Sequence, residues 1–355
     1  MTPFFSISIP TYNRPHDLKN ALQSLLRQTY SNFEIIVCDN SSNNKSQKVV
    51  ESFQDKRIKY FKNRENIGFA RNLYKAIKKA KGQYIFLFGD DDCLLNKDAL
   101  SRLFFEIKAN KYGYIRLNFV YHRNFKVLFD FNKFDGIKNR TIEKKSSNWE
   151  ILKFLLRSNF ALISGIIFKR PKKIHISEIE KSQDPNFTME IFWIDFLFEQ
   201  AKKYGALIDT ENTIIGQWII HMYNSACADK TGPSIYAVLK NQIYVEKSWK
   251  LIFPKLTDLE IKQWIKEQTE MMIVLFPSIK FYSNNRILLS NVKRMLELNH
   301  SLFLNPFLYI YLFIAVVMPK TIWNHIRVFF QNKNLIDNHL NIELADFRRF
   351  VLRQR

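Results

Sequence analysis

The chain has 355 residues, is 46% hydrophobic, and carries 54 Lys and Arg against 33 Asp and Glu, a formal net charge of +21. A core is readily buried at that length, and the cationic field favours anionic partners: nucleic acid, anionic lipid or phosphorylated substrates. Three cysteines, Cys38, Cys93 and Cys227, are too few and too scattered for a disulfide framework or a thiolate zinc site, so a reducing, cytoplasmic setting is expected.

The N-terminus reaches Pro10 before any apolar stretch of signal-peptide length and lacks a basic start, so export is not expected. Short runs rich in Ile, Val, Phe and Tyr follow one another at Phe4 to Ile9, Phe33 to Cys38, Ile58 to Phe61, Tyr84 to Phe88 and Tyr114 to Phe119. Each has strand length and composition. Between them apolar residues recur at helical spacing: Leu18, Leu22, Leu25 and Leu26, then Phe69, Leu73, Ala76 and Ile77, then Leu100, Leu103, Phe104 and Ile107. Strand alternating with helix predicts an α/β domain, a mostly parallel sheet with helices on both faces.

From about Lys133 to Lys181 the pattern loosens into a basic linker, a helix at Trp149 to Arg157 and an apolar run from Phe160 to Phe168. A helix is expected from about Phe187 to Tyr204, and long helical stretches beyond Lys230, where a domain boundary is placed. Residues 1–230 thus form the α/β domain and 231–355 a helical C-terminal region. Phe307 to Met318 is an unbroken run of 12 apolar residues between Pro306 and Pro319. It is short for a bilayer-spanning helix, which needs about 20. Two readings stand: a buried core helix, or a helix lying in a membrane face, which the flanking aromatics and cations suit.

In open α/β sheets ligands bind beyond the carboxyl ends of the strands. The residues found there are Pro10 to Arg14, Asp39 to Ser42, Asn63 to Gly68, and Gly89 to Asp92. The triple carboxylate Asp90, Asp91 and Asp92 is the sharpest signal, because adjacent carboxylates repel and Mg²⁺ or Mn²⁺ prefers such oxygen ligands together with substrate phosphates. The same three residues also suit a solvated turn capping the helix that begins near Asn96. Asp39 with Asn40 suits an Asx turn as well as a ligand contact.

Taken together, SISIPTYNR (6–14), IVCDNSS (36–42), NIGFARN (66–72) and GDDD (89–92) resemble, in order and approximate spacing, the signatures of family 2 glycosyltransferases of the GT-A fold. The likeness runs over roughly residues 4 to 225 and is dense to 118. It implies a Rossmann-like nucleotide-diphospho-sugar transferase fold, with 1–120 as the nucleotide-sugar half and 121–230 as the acceptor half.

By position it implies that Pro10, Thr11, Tyr12 and Arg14 sit under the nucleotide and that Asp39 accepts a hydrogen bond from a base N–H. Asn66, Gly68 and Arg71 fall where the family contacts ribose and phosphate. Asp92 is the preferred ligand for Mg²⁺ or Mn²⁺ and Asp91 a second ligand or ribose contact, while Asp90 contacts the sugar nucleotide. Gly89 stands where the commoner D-x-D-D form has its first Asp. GQWIIHMYNS (216–225) resembles the family's closing loop, with His221 as a further metal or diphosphate ligand, or a packed histidine beside Trp218.

The family inverts the anomeric centre with a carboxylate base, which alignment on AKKYG (201–205) would put at Phe192 and Trp193; neither residue has a carboxylate. Asp195, Glu190 and Asp184 are the substitutes, in that order. The resemblance implies an enzyme of surface polysaccharide assembly, using a nucleotide-diphosphate sugar donor and a glycan or lipid-linked acceptor, with peripheral contact at the inner membrane face. A basic nucleic-acid-binding protein is the rival suggested by charge and 15% aromatics, but three carboxylates at a strand end repel phosphates. A nucleotidyltransferase would share Asp39 and the acidic motif, yet no Gly-rich phosphate loop is present. A catalytically silent relative is separated from an enzyme by turnover.

Overall fold

In the computed structural model the described residues are 2–123, 126–130, 141–158, 163–172, 192–217, 256–273, 285–319 and 321–322. The first four apolar runs are strands β1 (Phe5–Thr11), β2 (Phe33–Asp39), β3 (Ile58–Lys62) and β4 (Tyr84–Leu87), joined by helices α1 (Pro15–Leu26), α2 (Lys45–Ser52) and α3 (Gly68–Lys79). A short strand β5 (Asp92–Leu94) then precedes α4 (Ala99–Asn110) and β6 (Tyr114–Arg123). Strands β7 (Lys126–Asp130), β8 (Thr141–Ile142), β9 (Ile166–Lys169) and β10 (Ala206–Gln217) follow, with α5 (Asn148–Arg157) and α6 (Phe192–Tyr204) among them.

The strands form one sheet in the order β3-β2-β1-β4-β9-β6-β10-β5, with β7 beside β6 and β8 beside β10. Pairing is parallel throughout β3-β2-β1-β4, as the alternation of strand and helix predicts. Beyond β4 it becomes mixed: β9 runs antiparallel to both neighbours, β10 is parallel to β6, and β5 is antiparallel to β10. The sheet is thus mostly parallel, as expected, and its antiparallel pairs all lie beyond β4. The residues 121–217 contribute β9 and β10 to the same sheet, so the two expected halves share one layer.

Alternation along β2 shows how the sheet is covered on both faces. Phe33, Ile35 and Val37 join the core of Leu18, Leu22, Leu100 and Leu103 from α1 and α4, while Ile36 and Cys38 point the other way, against Ala76 of α3. Each such aliphatic side chain stabilises the fold by roughly 1.5–3 kcal/mol. Helix α5 starts in a capping box in which Ser147 and Glu150 satisfy each other's backbone amides.

The chain divides into one unit of residues 1–218 with 336–355 and a second of 219–335, whereas one boundary near residue 230 was expected. In the second unit, α7 (Asp258–Ile273), α8 (Asn285–Leu298), a 3₁₀ turn (His300–Leu304) and α9 (Pro306–Val317) gather Leu288, Val292, Met295, Leu302, Leu308 and Ala315 into a small core. Among the described residues no helix is long and apolar enough to cross a membrane. The apolar run at 307–318 is not the enclosed core helix of the first reading, since only Leu308 and Ala315 of α9 are buried.

Candidate functional site

The chain runs β1, β2, β3 outward and then returns through α3 to put β4 on the other side of β1. The strand order reverses between β1 and β4, and their carboxyl ends leave a crevice there. Thr11 ends β1 on one side, and Gly89 to Asp92 follow β4 on the other.

The acidic turn is held from both sides. Thr11 Oγ1 donates to Asp90 Oδ2 at 2.6 Å, and Arg14 Nη1 lies 2.6 Å from Asp91 Oδ2 and 3.4 Å from Asp90 Oδ1. On the far side Ser164 donates its hydroxyl to Asp92 Oδ2. Ser164 Oγ in turn accepts the Gly89 amide at 2.7 Å, and the buried Arg116 guanidinium bonds the Ser164 carbonyl. Burial, and after it the charge of Asp91, pushes the Asp90 and Asp92 carboxyls above the usual range, with the hydroxyls of Thr11 and Ser164 opposing. Asp91 is the most open of the three, its side chain 36% exposed.

The turn does not cap α4, which starts later, at Ala99. The segment after it is tied instead to the end of α1: Ser24 Oγ accepts the Leu94 amide at 3.1 Å, and Gln28 Nε2 donates to the Asn96 carbonyl at 2.7 Å. Gly89 has a steric reason to be glycine. A Cβ there would stand 2.7 Å from Asp92 Oδ2 and 2.9 Å from Ser164 Oγ, and so would push the pair apart.

Asp39 ends β2 in register with Thr11 and is wholly buried. Its Oδ1 accepts the Ser41 amide at 2.7 Å, which is the Asx turn, and its Oδ2 accepts the Tyr60 hydroxyl at 2.6 Å. Behind it lies a buried amide network. Asn63 Nδ2 donates to Asn40 Oδ1 at 2.7 Å and to Asn72 Oδ1 at 2.8 Å, and Asn72 Nδ2 donates to the Cys38 carbonyl at 2.8 Å. Three strand ends and α3 are locked together by these amides. At the start of α3, Asn66 Oδ1 accepts the Gly68 amide at 3.0 Å, while Gly68 takes φ 80°, a left-handed conformation open to glycine.

Pro10, Thr11, Arg14, Asp39, Asp90, Asp91 and Asp92 therefore meet at one edge of the sheet, with Tyr12 exposed beside them and Arg71 on the first turn of α3. Asp195 lies on α6. Glu190, Asp184 and His221 lie outside the described residues. The strand leading toward His221 passes the acidic turn, since Gly216 of β10 pairs with Asp92. Sequence reasoning missed Tyr60, Asn63, Asn72, Arg116 and Ser164. The Ser-Gly pair at 164–165 inside an apolar run was the available signal for the last.

The carboxylates of Asp90, Asp91 and Asp92 turn to different partners, and among the described residues no group of three or more His, Cys, Asp and Glu is arranged to hold a metal ion. Hard oxygen donors suit Mg²⁺ or Mn²⁺ bound by one or two carboxylates plus phosphates, a pattern that Asp91 and Asp92 alone can supply.

The family model for glycosyl transferase family 2 matches residues 6–163, a span that takes in every one of these strand ends. Over those residues the chain is similar to family 2 glycosyltransferases. An uncharacterized glycosyltransferase of Methanocaldococcus jannaschii is 28% identical to it over 211 residues, 57% of this chain and 69% of that one. A UDP-Glc:alpha-D-GlcNAc-diphosphoundecaprenol beta-1,3-glucosyltransferase of Escherichia coli is 40% identical over 93 residues, 26% of this chain and 37% of its own. Among solved structures, a mannosyltransferase of Pyrobaculum calidifontis in complex with GDP-Man and Mn²⁺ aligns with 97% of this chain and 86% of its own length, at 14% identity and TM-score 0.49. The clamp on the acidic turn joins Thr11 and Arg14, inside the matched span, to Ser164, one residue beyond it.

Proposed function

We propose that this chain transfers a sugar from a nucleotide-diphosphate donor to a glycan or lipid-linked acceptor, with inversion, in the assembly of bacterial surface polysaccharide at the inner face of the cytoplasmic membrane. The observation that carries this reading is the meeting of Thr11, Asp39 and the Asp90–Asp92 turn at the point where the strand order reverses. A base and a diphosphate need opposite chemistry, and the crevice offers both. Asp39, on the β2 side, keeps lone pairs beyond those used by Ser41 and Tyr60, and accepts from a base N–H. Asp91 and Asp92, on the β4 side, would hold Mg²⁺ or Mn²⁺, which supplies charge stabilisation of the leaving diphosphate when bound.

Arg14 is the residue that would change partners. With no cation present it neutralises Asp91 and Asp90; freed from them, its guanidinium reaches phosphate oxygens with the same planar fork of donors. Arg71 and the amino-terminal end of α3 offer further positive charge to the donor. The base that takes the acceptor proton is assigned to Asp195 on α6, with Glu190 and Asp184 as the alternatives. His221, four residues after the end of β10 in the sequence, is assigned to the diphosphate or the metal.

The acceptor class draws support from the relative acting on a diphosphoundecaprenol-linked sugar. A catalytically silent sugar-nucleotide binder is the second reading, favoured by Phe192 and Trp193 standing where the family's acidic pair would fall. The test is a panel of UDP-, GDP-, dTDP- and CMP-linked sugars, measured for Mn²⁺-dependent binding and slow hydrolysis on the wild type and on Asp92→Ala. One nucleotide class bound only with metal, and lost in the variant, supports the donor site; turnover then excludes the silent reading. Absence of metal-dependent binding to all of them overturns the proposal.

A further inference from the structure

Helix α9 has an unusual surface. At 3.6 residues per turn, Phe307, Tyr309, Ile310, Phe313, Val316 and Val317 share about half of its circumference, and they are 60, 53, 50, 67, 46 and 58% exposed. Leu304, 88% exposed, ends the 3₁₀ turn just before the helix, while Leu308 and Ala315 on the opposite side of α9 join the core of the second unit. An exposed apolar area of this size marks an interaction site.

The polar groups near this face are already satisfied. The Tyr309 hydroxyl donates to the Phe303 carbonyl at 2.8 Å, Asn305 Oδ1 accepts the Phe307 amide at 2.9 Å, the Leu308 amide donates to the Asn305 carbonyl at 3.1 Å, and Pro306 has no amide hydrogen. Internal satisfaction of this kind is what hydrocarbon demands of a helix and water does not. Between Leu298 and Pro319 there is no Asp, Glu, Lys or Arg, and the next stretch of the sequence, 320–333, holds Lys320, Arg327 and Lys333 and no Asp or Glu. Cations that adjoin an uncharged apolar segment in the sequence suit an anionic lipid surface. Two copies of a chain with net charge +21, by contrast, repel one another.

We infer that α9 docks this protein on anionic lipid, lying in the plane of the interface with Leu304, Phe307, Ile310 and Phe313 sunk among the acyl chains. Its 12 residues extend about 18 Å, well short of the roughly 30 Å hydrocarbon layer, so it lies along the membrane and does not cross it. Docking belongs to α9 and not to the donor site, and each is measured separately.

The test is flotation of the full-length protein with vesicles of phosphatidylethanolamine and phosphatidylglycerol, against vesicles of phosphatidylcholine alone. Wild type floats with the anionic vesicles, and the double variant Ile310→Asp, Phe313→Asp loses about tenfold or more in partition. Its circular dichroism and donor binding stay those of wild type. Leu304→Asp, at the most exposed position, is a second variant that weakens flotation without touching the core. Wild type that stays off both vesicles, or sediments as a dimer that the substitutions dissociate, overturns the inference. So does flotation that the substitutions leave unchanged, because charge alone then accounts for it.

Discussion

The crevice between β1 and β4 and the outer face of α9 use side chains in opposite ways. In the crevice, polar groups are buried and nearly every one has a named partner: Thr11 with Asp90, Ser164 with Asp92, Tyr60 with Asp39, Asn63 with Asn40 and Asn72. On α9 the reverse holds, and large apolar side chains stand open to solvent. Buried polar groups hold a geometry because leaving one unpaired is expensive. Open apolar groups hold none, and their worth appears only against a second surface. One region is built to fix atoms, the other to meet something.

Six substitutions test that contrast, from the largest expected effect to the smallest. Asp92→Ala should weaken Mn²⁺-dependent binding of the donor by about a hundredfold, while the Ser164 hydroxyl left without its acceptor lowers stability by about 1–3 kcal/mol. Calorimetric titration with and without Mn²⁺ reads it, and unchanged binding makes the turn merely structural. Asn72→Ala removes the partner of Asn63 and of the Cys38 carbonyl and should lower stability by about 1–3 kcal/mol, measured by urea unfolding.

Smaller effects follow. Gly89→Ala forces a methyl between Asp92 and Ser164 and should loosen metal-dependent binding by about tenfold, with the same direction for Ser164→Ala. Gly89→Asp, which restores the family's commoner form, should do no better, because the clash arises at Cβ. Last, Phe313→Ser should change unfolding free energy by less than about 0.5 kcal/mol despite the loss of a phenyl ring, because that ring is 67% exposed. A loss as large as that of Asn72→Ala would mean that the ring is packed in solution and would dissolve the contrast.

Much of the crevice was legible from sequence, and the reason is geometric. Apolar runs of Ile, Val and Phe must become strands wherever both faces are covered, and the residue after each run must then stand at a strand end. Asp39, Thr11 and Asp90–Asp92 could be placed on that basis. Their partners could not. That Ser164 meets Asp92 depends on β9 entering antiparallel beside β4, and a four-residue apolar strand reads the same in either direction. The short strand β5 was hidden because its partner, β10, lies more than a hundred residues further along. For α9 the limit was different: twelve apolar residues have one pattern whether enclosed or bare, and only the positions of neighbouring helices decide.

The clamp on the acidic turn also bears on how such a domain could be recombined with others. Asp90 is held by residues that precede it by 79 and 76 positions, Asp92 by a serine 72 positions beyond it. Strand β5, which carries Asp92, is bordered in the sheet by β10 from the far end of the domain. A chimera joined after Val120 would import Asp92 without Ser164, Gly165 or a neighbouring strand, and so without the rotamer that the donor reading requires. On the proposed donor reading, a graft that changes nucleotide preference would instead be placed around Asp39 and Tyr60, within β2 and β3, where both partners travel on one short stretch of chain.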